Sequence, residues 1–176
     1  MPVNLELKVK VASTTSLIQI AEDIGATYIT TMLQEDTYFY STKGRLKLRV
    51  INEDKAELIF YDRDEKTNYR LSEYQIYPIA DKDLMRKILQ LAYGIRLVVK
   101  KKRQLFIYKN CRIHIDKVDG LGDFLEFEVL LNNSDENGKE LMKFLCDKFS
   151  GEFLYIFQDS YSDLLEKVQN KGGKIE

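Results

Sequence analysis

Four short stretches set polar or charged side chains at every second position: Asn4-Leu5-Glu6-Leu7-Lys8, Arg45-Leu46-Lys47-Leu48-Arg49, Lys101-Lys102-Arg103 and Phe124-Leu125-Glu126-Phe127-Glu128. A period of two is the period of a β-strand, whose successive side chains point to opposite faces; on a helix the same residues would be scattered around the axis. Each stretch therefore makes a strand with one charged face, and three of the four also have a clean apolar face. The charges come in both signs. Two stretches offer mainly cations, the last offers carboxylates and the first offers one of each, a set that can hold a polyphosphate together with a divalent cation.

Further strand patterns run over about 27–32, 36–42, 56–62, 68–76 and 111–118, separated by short polar turns such as Asn52-Glu53-Asp54-Lys55. Helical spacing appears in four places. Ser13 to Thr15 provide hydroxyl caps for a helix carrying Leu17, Ile18, Ala21 and Ile24 that ends at Gly25. Asp81 starts a second helix, with Leu84, Met85, Ile88 and Leu89 on one face and a stop near Gly94. Leu141, Phe144, Leu145 and Phe149 mark a third stripe, and Tyr161, Leu164, Leu165 and Val168 a fourth. The chain of 176 residues reads as one domain over 1–170, with 171–176 as a frayed tail.

Alternation alone allows two architectures. An open antiparallel sheet with helices on one face would leave the charges solvated on the other. A sheet that curls on itself, with the helices packed outside, would turn the charges into a polar lumen. Aspartate and glutamate are depleted in strands, yet Glu6, Asp116, Glu126 and Glu128 all occupy strand positions whose parity matches that of nearby cations. This favours the second form, an α+β fold whose eight-stranded antiparallel β-barrel encloses a charged tunnel, with Tyr38 and Tyr61 in its walls.

Bulk properties narrow the chemistry. A net charge of -1 argues against general nucleic-acid binding or binding to anionic membranes, so any basic site is local. There is no long apolar run for a membrane span and no apolar signal-peptide core, which suggests a cytoplasmic protein. Cys111 and Cys146 lack the spacing of a metal or redox site and read as buried thiols. With His114 the single histidine, a metal would have to be held by oxygen, and a lone histidine is more often structural, so His114 is set outside the site.

The order of these segments, from Leu5 to about Leu165, resembles the CYTH family, the triphosphate tunnel metalloenzymes, which includes class IV adenylate cyclases, thiamine triphosphatases and tripolyphosphatases. That family begins with Glu-x-Glu-x-Lys, continues with a cationic strand and closes with an Asp strand and a Glu-x-Glu strand. The matching text here is Asn4 to Lys8, Asp36-Thr37-Tyr38-Phe39 leading into Leu46 to Arg49, Lys101 to Arg103, Arg112 to Asp116 and Phe124 to Glu128. Asn4 stands where the first glutamate of the pattern would be. An amide oxygen can ligate but carries no charge. The Asn-x-Glu-x-Lys form resembles a cyclase-like branch.

The resemblance implies a magnesium or manganese ion facing Glu6, Glu126 and Glu128. It implies phosphate binding by Lys8, Lys47, Arg49, Arg63, Lys101 and Arg103, and catalytic roles for Lys8 and Asp116. For Asp116 a salt bridge to Arg103 or Arg112 stands beside the functional role. Lys100 and Lys102 have the opposite parity and read as solvated. The implied substrate is a small triphosphate: ATP, tripolyphosphate or thiamine triphosphate. The expected activity is class IV adenylate cyclase-like, with a triphosphate hydrolase as the alternative and a non-catalytic polyphosphate or nucleotide binder as a third reading. A homodimer is left open.

Overall fold

The alternating stretches all lie in β-strands. The computed structural model describes residues 3–64, 70–131 and 135–171, and the side chains at 3, 63, 64, 70–73, 135 and 136 fall outside that description. The elements are β1 (Val3–Val11), α1 (Thr15–Asp23), β2 (Thr27–Phe39), β3 (Arg45–Ile51), β4 (Lys55–Asp64), β5 (Arg70–Ile79), α2 (Lys82–Tyr93), β6 (Ile95–Tyr108), β7 (Cys111–Val118), β8 (Gly122–Leu130), α3 (Asp135–Phe149), a 3-10 turn (Ser150–Glu152), β9 (Phe153–Phe157) and α4 (Tyr161–Asn170).

Every strand pairing is antiparallel, and the neighbour order is β5-β4-β3-β2-β6-β7-β8-β1-β9. Residues 3–6 of β1 also pair with residues 70–73 of β5, which brings the order back to its starting strand. Residues 8–11 of β1 pair with β9 instead. Eight strands thus form the barrel-like tunnel and β9 is an appended strip. Beyond the four-residue β1–β5 join, no pairing links β5 to β9 among the described residues.

Two strand expectations change. The patterns at 27–32 and 36–42 belong to one strand, β2, of 13 residues, whose pairing with β6 shifts register between Tyr28 and Thr30. Residues 33–35, which lie between the two patterns, continue the strand. β9 has no counterpart in the sequence reading: its run Phe-Leu-Tyr-Ile-Phe lacks alternation, and Leu154, Tyr155 and Ile156 are exposed.

Helices α1, α2 and α3 lie on the outer faces because those faces are apolar, whereas α4 departs from the expectation and packs with Tyr38, Tyr61, Leu97 and Val99, which have the inward parity. Leu5, Leu7 and Val9 of β1, Ile113 of β7, and Leu125 and Phe127 of β8 pack with Leu17 and Ala21 of α1 and Met142, Leu145 and Phe149 of α3. Burying side chains of this size contributes roughly 1.5–3 kcal/mol each. α2 covers a smaller patch, with Leu89 and Met85 against Phe39, Leu48 and Ala56. Its ends follow the sequence: the Asp81 carboxylate accepts a hydrogen bond from the Leu84 N–H at 2.9 Å, and Gly94 adopts φ +78°. At α1 the N-cap is Thr14 without a side-chain bond, and Ser13 Oγ instead accepts from the Thr15 N–H at 3.2 Å.

Candidate active site

Parity fixes which side chains face inward. Once Leu5 and Leu7 commit β1 to the outer core, Asn4, Glu6 and Lys8 must point the other way. Register then aligns the strands: Glu6 is opposite Glu128, Lys8 opposite Glu126, Glu126 opposite His114, and Arg103 opposite Asp116. The result is a cavity of about 310 Å³ lined by Glu6, Lys8, Lys47, Arg49, Lys101, Arg103, Glu126 and Glu128, with Asn4, Gln34, Glu57, Arg112, His114 and Tyr161 among the remaining lining residues. Lys100 and Lys102 are exposed on the opposite face.

On the β2–β3 wall one carboxylate organises two cations. Lys47 Nζ donates to Asp36 Oδ2 at 2.8 Å, and Arg49 donates to both Asp36 oxygens at 2.7 and 2.8 Å. Burial pushes the Asp36 carboxyl up, but Arg49 and Lys47 more than offset it and hold it well below the usual carboxylate range.

Asp116 does the same work from β7. Arg103 forks onto it at 2.7 and 2.6 Å, the Tyr161 hydroxyl donates to it at 2.9 Å, and Lys101 Nζ lies 3.7 Å away. Burial opposes its charge, and Arg103 and Lys101 nevertheless lower its pKa. Lys101 is the counter-case. Burial, followed by the charge of Arg103, brings its pKa down to about 7, so near neutral pH it is a cation on the verge of losing its proton.

The β7–β8–β1 wall carries the remaining carboxylates. Glu126 accepts from Arg103 at 3.0 Å and sits 3.6 Å from Lys8, while Glu128 accepts from Arg112 Nε at 2.9 Å. Burial would raise both, but Lys8 for Glu126 and His114 for Glu128 help to hold their pKa values down. His114, Glu126 and Glu128 each present one ligand atom, and these atoms lie within 4.8 Å of one another. These donors, with Glu6 facing Glu128 across the β1–β8 pairing, suit a divalent cation. At one end of the lumen α4 inserts Tyr161: Lys8 Nζ lies 3.9 Å and Lys101 Nζ 4.8 Å from its ring centroid. Arg45 anchors the helix by donating to Ser160, Ser162 and Asp163.

A CYTH domain model matches residues 3–149. The chain belongs to the CYTH family. Among curated proteins, one from Methanocaldococcus jannaschii named "Putative adenylate cyclase MJ0240" is 28% identical over 148 residues, covering 79% of this chain and 83% of that protein. The fold is shared with the PH1012 protein of Pyrococcus horikoshii, at a TM-score of 0.79, 21% identity and coverage of 92% of this chain and 99% of that one. It is also shared with a Hippeastrum protein, HpAC1, whose description reports a dominant triphosphatase activity, at a TM-score of 0.68, 14% identity and coverage of 99% and 98%.

Within the CYTH frame, the structure brings together ten of the eleven residues singled out by sequence. Nine are the eight lining residues above plus Asp116, which lies behind the cavity surface in its fork with Arg103; the tenth, Asn4, lines the lumen and is buried. Arg63 is in β4 opposite Ser72, and its side chain lies outside the described residues. His114, set outside the site by sequence, is buried within it; the signal was its shared parity with Arg112 and Asp116. Asp36 as the organiser of a cation pair was also missed, although it opens the Asp36-Thr37-Tyr38-Phe39 match. Tyr161 reads in sequence as one position in a helical stripe, and its insertion into the lumen is decided by where α4 docks. Cys111 is buried, and burial raises its thiol to about 12, so it is protonated at neutral pH.

Proposed function

We propose that this CYTH protein is a metal-dependent enzyme that binds a linear triphosphate along the lumen, with class IV adenylate cyclase-like conversion of ATP to cyclic AMP and pyrophosphate as its first activity. The observation that carries the reading is the sorting of charge around one cavity by strand, with the cations Lys47, Arg49, Lys101 and Arg103 on β3 and β6, the carboxylates Glu6, Glu126 and Glu128 on β1 and β8, and Arg103 meeting Glu126 where the two sets adjoin. Lys47, Arg49, Lys101, Arg103 and Lys8 spread the triphosphate's negative charge among themselves, and Arg63 is assigned to the same set. The arginines can make paired bonds to phosphate oxygens, while the lysines act as point charges.

Glu6, Glu126 and Glu128 would hold a magnesium or manganese ion, which when bound supplies charge neutralisation at the phosphate oxygens. The protein's own contribution is positioning and preorganised electrostatics. Asp36 and Asp116 keep the cations from swinging out of line before substrate arrives. In this proposal Asp116 therefore acts through Arg103 and Lys101. Lys8, buried between Glu126 and Tyr161, would meet the reacting phosphate from the Tyr161 side of the lumen. In the cyclase reaction the ribose 3'-hydroxyl attacks the α-phosphate and pyrophosphate leaves.

Triphosphate hydrolysis, in which water attacks the terminal phosphate, is the second reading. The cavity volume of about 310 Å³ favours it, because ligand pockets run from roughly 300 to 1,000 Å³ and this one has room for little beyond the phosphates. Incubation with ATP, tripolyphosphate and thiamine triphosphate, each with magnesium or manganese, separates the two. Cyclic nucleotide with pyrophosphate supports the cyclase and phosphate alone the hydrolase. Binding without any product would leave a polyphosphate sensor.

A further inference from the structure

The family pattern has a glutamate where this chain has Asn4, and His114 stands two residues before Asp116 with its side chain in the same lumen. We propose that His114 is a direct ligand of the divalent cation, forming with Glu126 and Glu128 a mixed nitrogen–oxygen site on the β7–β8 wall that favours manganese over magnesium. The inference rests on the reading of the lumen as a metal-assisted triphosphate site.

Geometry is the first support. His114 and Glu126 are directly opposite in the β7–β8 ladder, and Glu128 is two residues along the same strand face. One donor atom from each of the three lies within 4.8 Å of the others. Ligands about 2.0–2.2 Å from a common ion are separated by about 3 Å when adjacent and just over 4 Å when opposed. A small rotation of the side chains closes that difference. Both strands are interior members of the sheet, so the site has rigid support.

The second support is a nitrogen with nothing to bind. His114 is 4% exposed, and its Nδ1 is buried without a hydrogen-bond partner. The nearest carboxylate oxygens, Glu128 Oε1 at 3.7 Å and Glu126 Oε2 at 3.9 Å, are too far for hydrogen bonds. Glu128 is held through its other oxygen by Arg112, which turns Oε1 toward His114. A cation between the three groups satisfies the nitrogen and both carboxylates at once.

Ligand chemistry gives the preference. Magnesium takes oxygen donors and keeps its waters, whereas imidazole suits transition-series ions. With an amide at Asn4 and an imidazole at His114, the donor set carries less negative charge than carboxylates at both places would give, and it includes a donor that discriminates against magnesium.

The test is pulsed electron paramagnetic resonance of the full chain with manganese(II), alone and with tripolyphosphate, read for modulation by a coordinated imidazole nitrogen. Nitrogen modulation is expected in the unaltered protein. In His114→Asn it should vanish, with manganese affinity falling by about tenfold to a hundredfold and magnesium affinity changing less. Bound manganese without nitrogen modulation overturns the inference, and so does unchanged manganese affinity in His114→Asn. Should that variant fail to fold, the spectrum of the unaltered protein decides the matter by itself. Calorimetric titration of tripolyphosphate in chelator separates this inference from the one it rests on. Binding there with no nitrogen signal overturns the histidine ligand and supports the triphosphate reading, whereas absence of tripolyphosphate binding overturns that reading.

Discussion

The two walls of the lumen use opposite proportions of the same chemistry. On the β2–β3 wall a single carboxylate, Asp36, serves two cations, Lys47 and Arg49. On the β7–β8–β1 wall Glu6, Glu126 and Glu128 gather around Lys8, Arg112 and the one imidazole. The first wall has cationic charge to spare and the second has carboxylate donors to spare, so the tunnel is polarised across its width, although the whole chain has a net charge of only -1. Neither composition nor net charge reveals such an arrangement. It arises because a sheet that curls into a tunnel brings strands distant in sequence into facing positions.

The comparison is broken most severely at Asp36. Asp36→Asn leaves the buried Lys47 and the half-buried Arg49 beside an uncharged partner, and the loss of one member of a buried ionic set costs about 3–5 kcal/mol. Chemical denaturation should show that loss, and tripolyphosphate should restore more stability to the variant than it adds to the unaltered protein, since it re-pairs the stranded cations. Equal stabilisation of both proteins would mean that the phosphates lie elsewhere.

Next in size is Glu128→Gln on the opposite wall. Metal-dependent turnover should fall by about two orders of magnitude, because the amide lacks the charge a hard cation needs. Tripolyphosphate binding in chelator should be unchanged or slightly tighter, since the lumen becomes more positive. Glu6→Gln should behave likewise, with Asn4 leaving fewer carboxylates to compensate. Product formation across a manganese titration, set beside binding in chelator, measures both. Near-normal turnover at low metal would make these glutamates structural.

Arg49→Ala removes a cation from the first wall and should weaken tripolyphosphate binding by about 1.5–3 kcal/mol, one charge-assisted contact, with the fold retained. Arg103→Ala should weaken binding similarly. It should also destabilise the protein, because Asp116, fully buried, loses its fork. Isothermal calorimetry and melting together distinguish the two arginines.

The smallest effect is protonic. Lys101 is held at about 7 by burial and by Arg103, so above that pH the free protein carries it mostly neutral and a bound polyanion must restore its proton. Complex formation should therefore take up protons, and affinity should fall as pH rises above about 7, by at most about tenfold per pH unit. Binding enthalpies in buffers of differing ionisation heat give the proton count. Lys101→Arg, always charged, should remove this contribution while leaving the titration of tripolyphosphate itself in place.

Strand parity made much of this legible in advance. Leu5, Leu7, Leu46, Leu48, Leu125 and Phe127 announce the outer face, and the residues between them are therefore inward. What parity cannot convey is pairing across the lumen. That Asp36 grips Arg49 while Asp116 grips Arg103 depends on register, which local sequence does not encode. His114 was passed over because single histidines are usually structural, a rule that ignores its two carboxylate neighbours on β8. β9 was illegible for a different reason: an edge strip with Leu154, Tyr155 and Ile156 exposed has no apolar-in, polar-out rhythm to read.

The position of β1 has a bearing on how the molecule is made. Its partners are residues 70–73, 124–130 and 153–157. A ribosome adds about 5–20 residues per second, so the strand bearing Glu6 and Lys8 leaves the exit port roughly 8–30 s before its last partner is synthesised. Until residues 124–130 follow, its charged face has no counter-ions from β8. The hairpins β3–β4, β4–β5, β6–β7 and β7–β8 can each form as they emerge. β1, made before all of its partners, is thus fully seated only when the latest of them has been made, and the charged chamber is completed late.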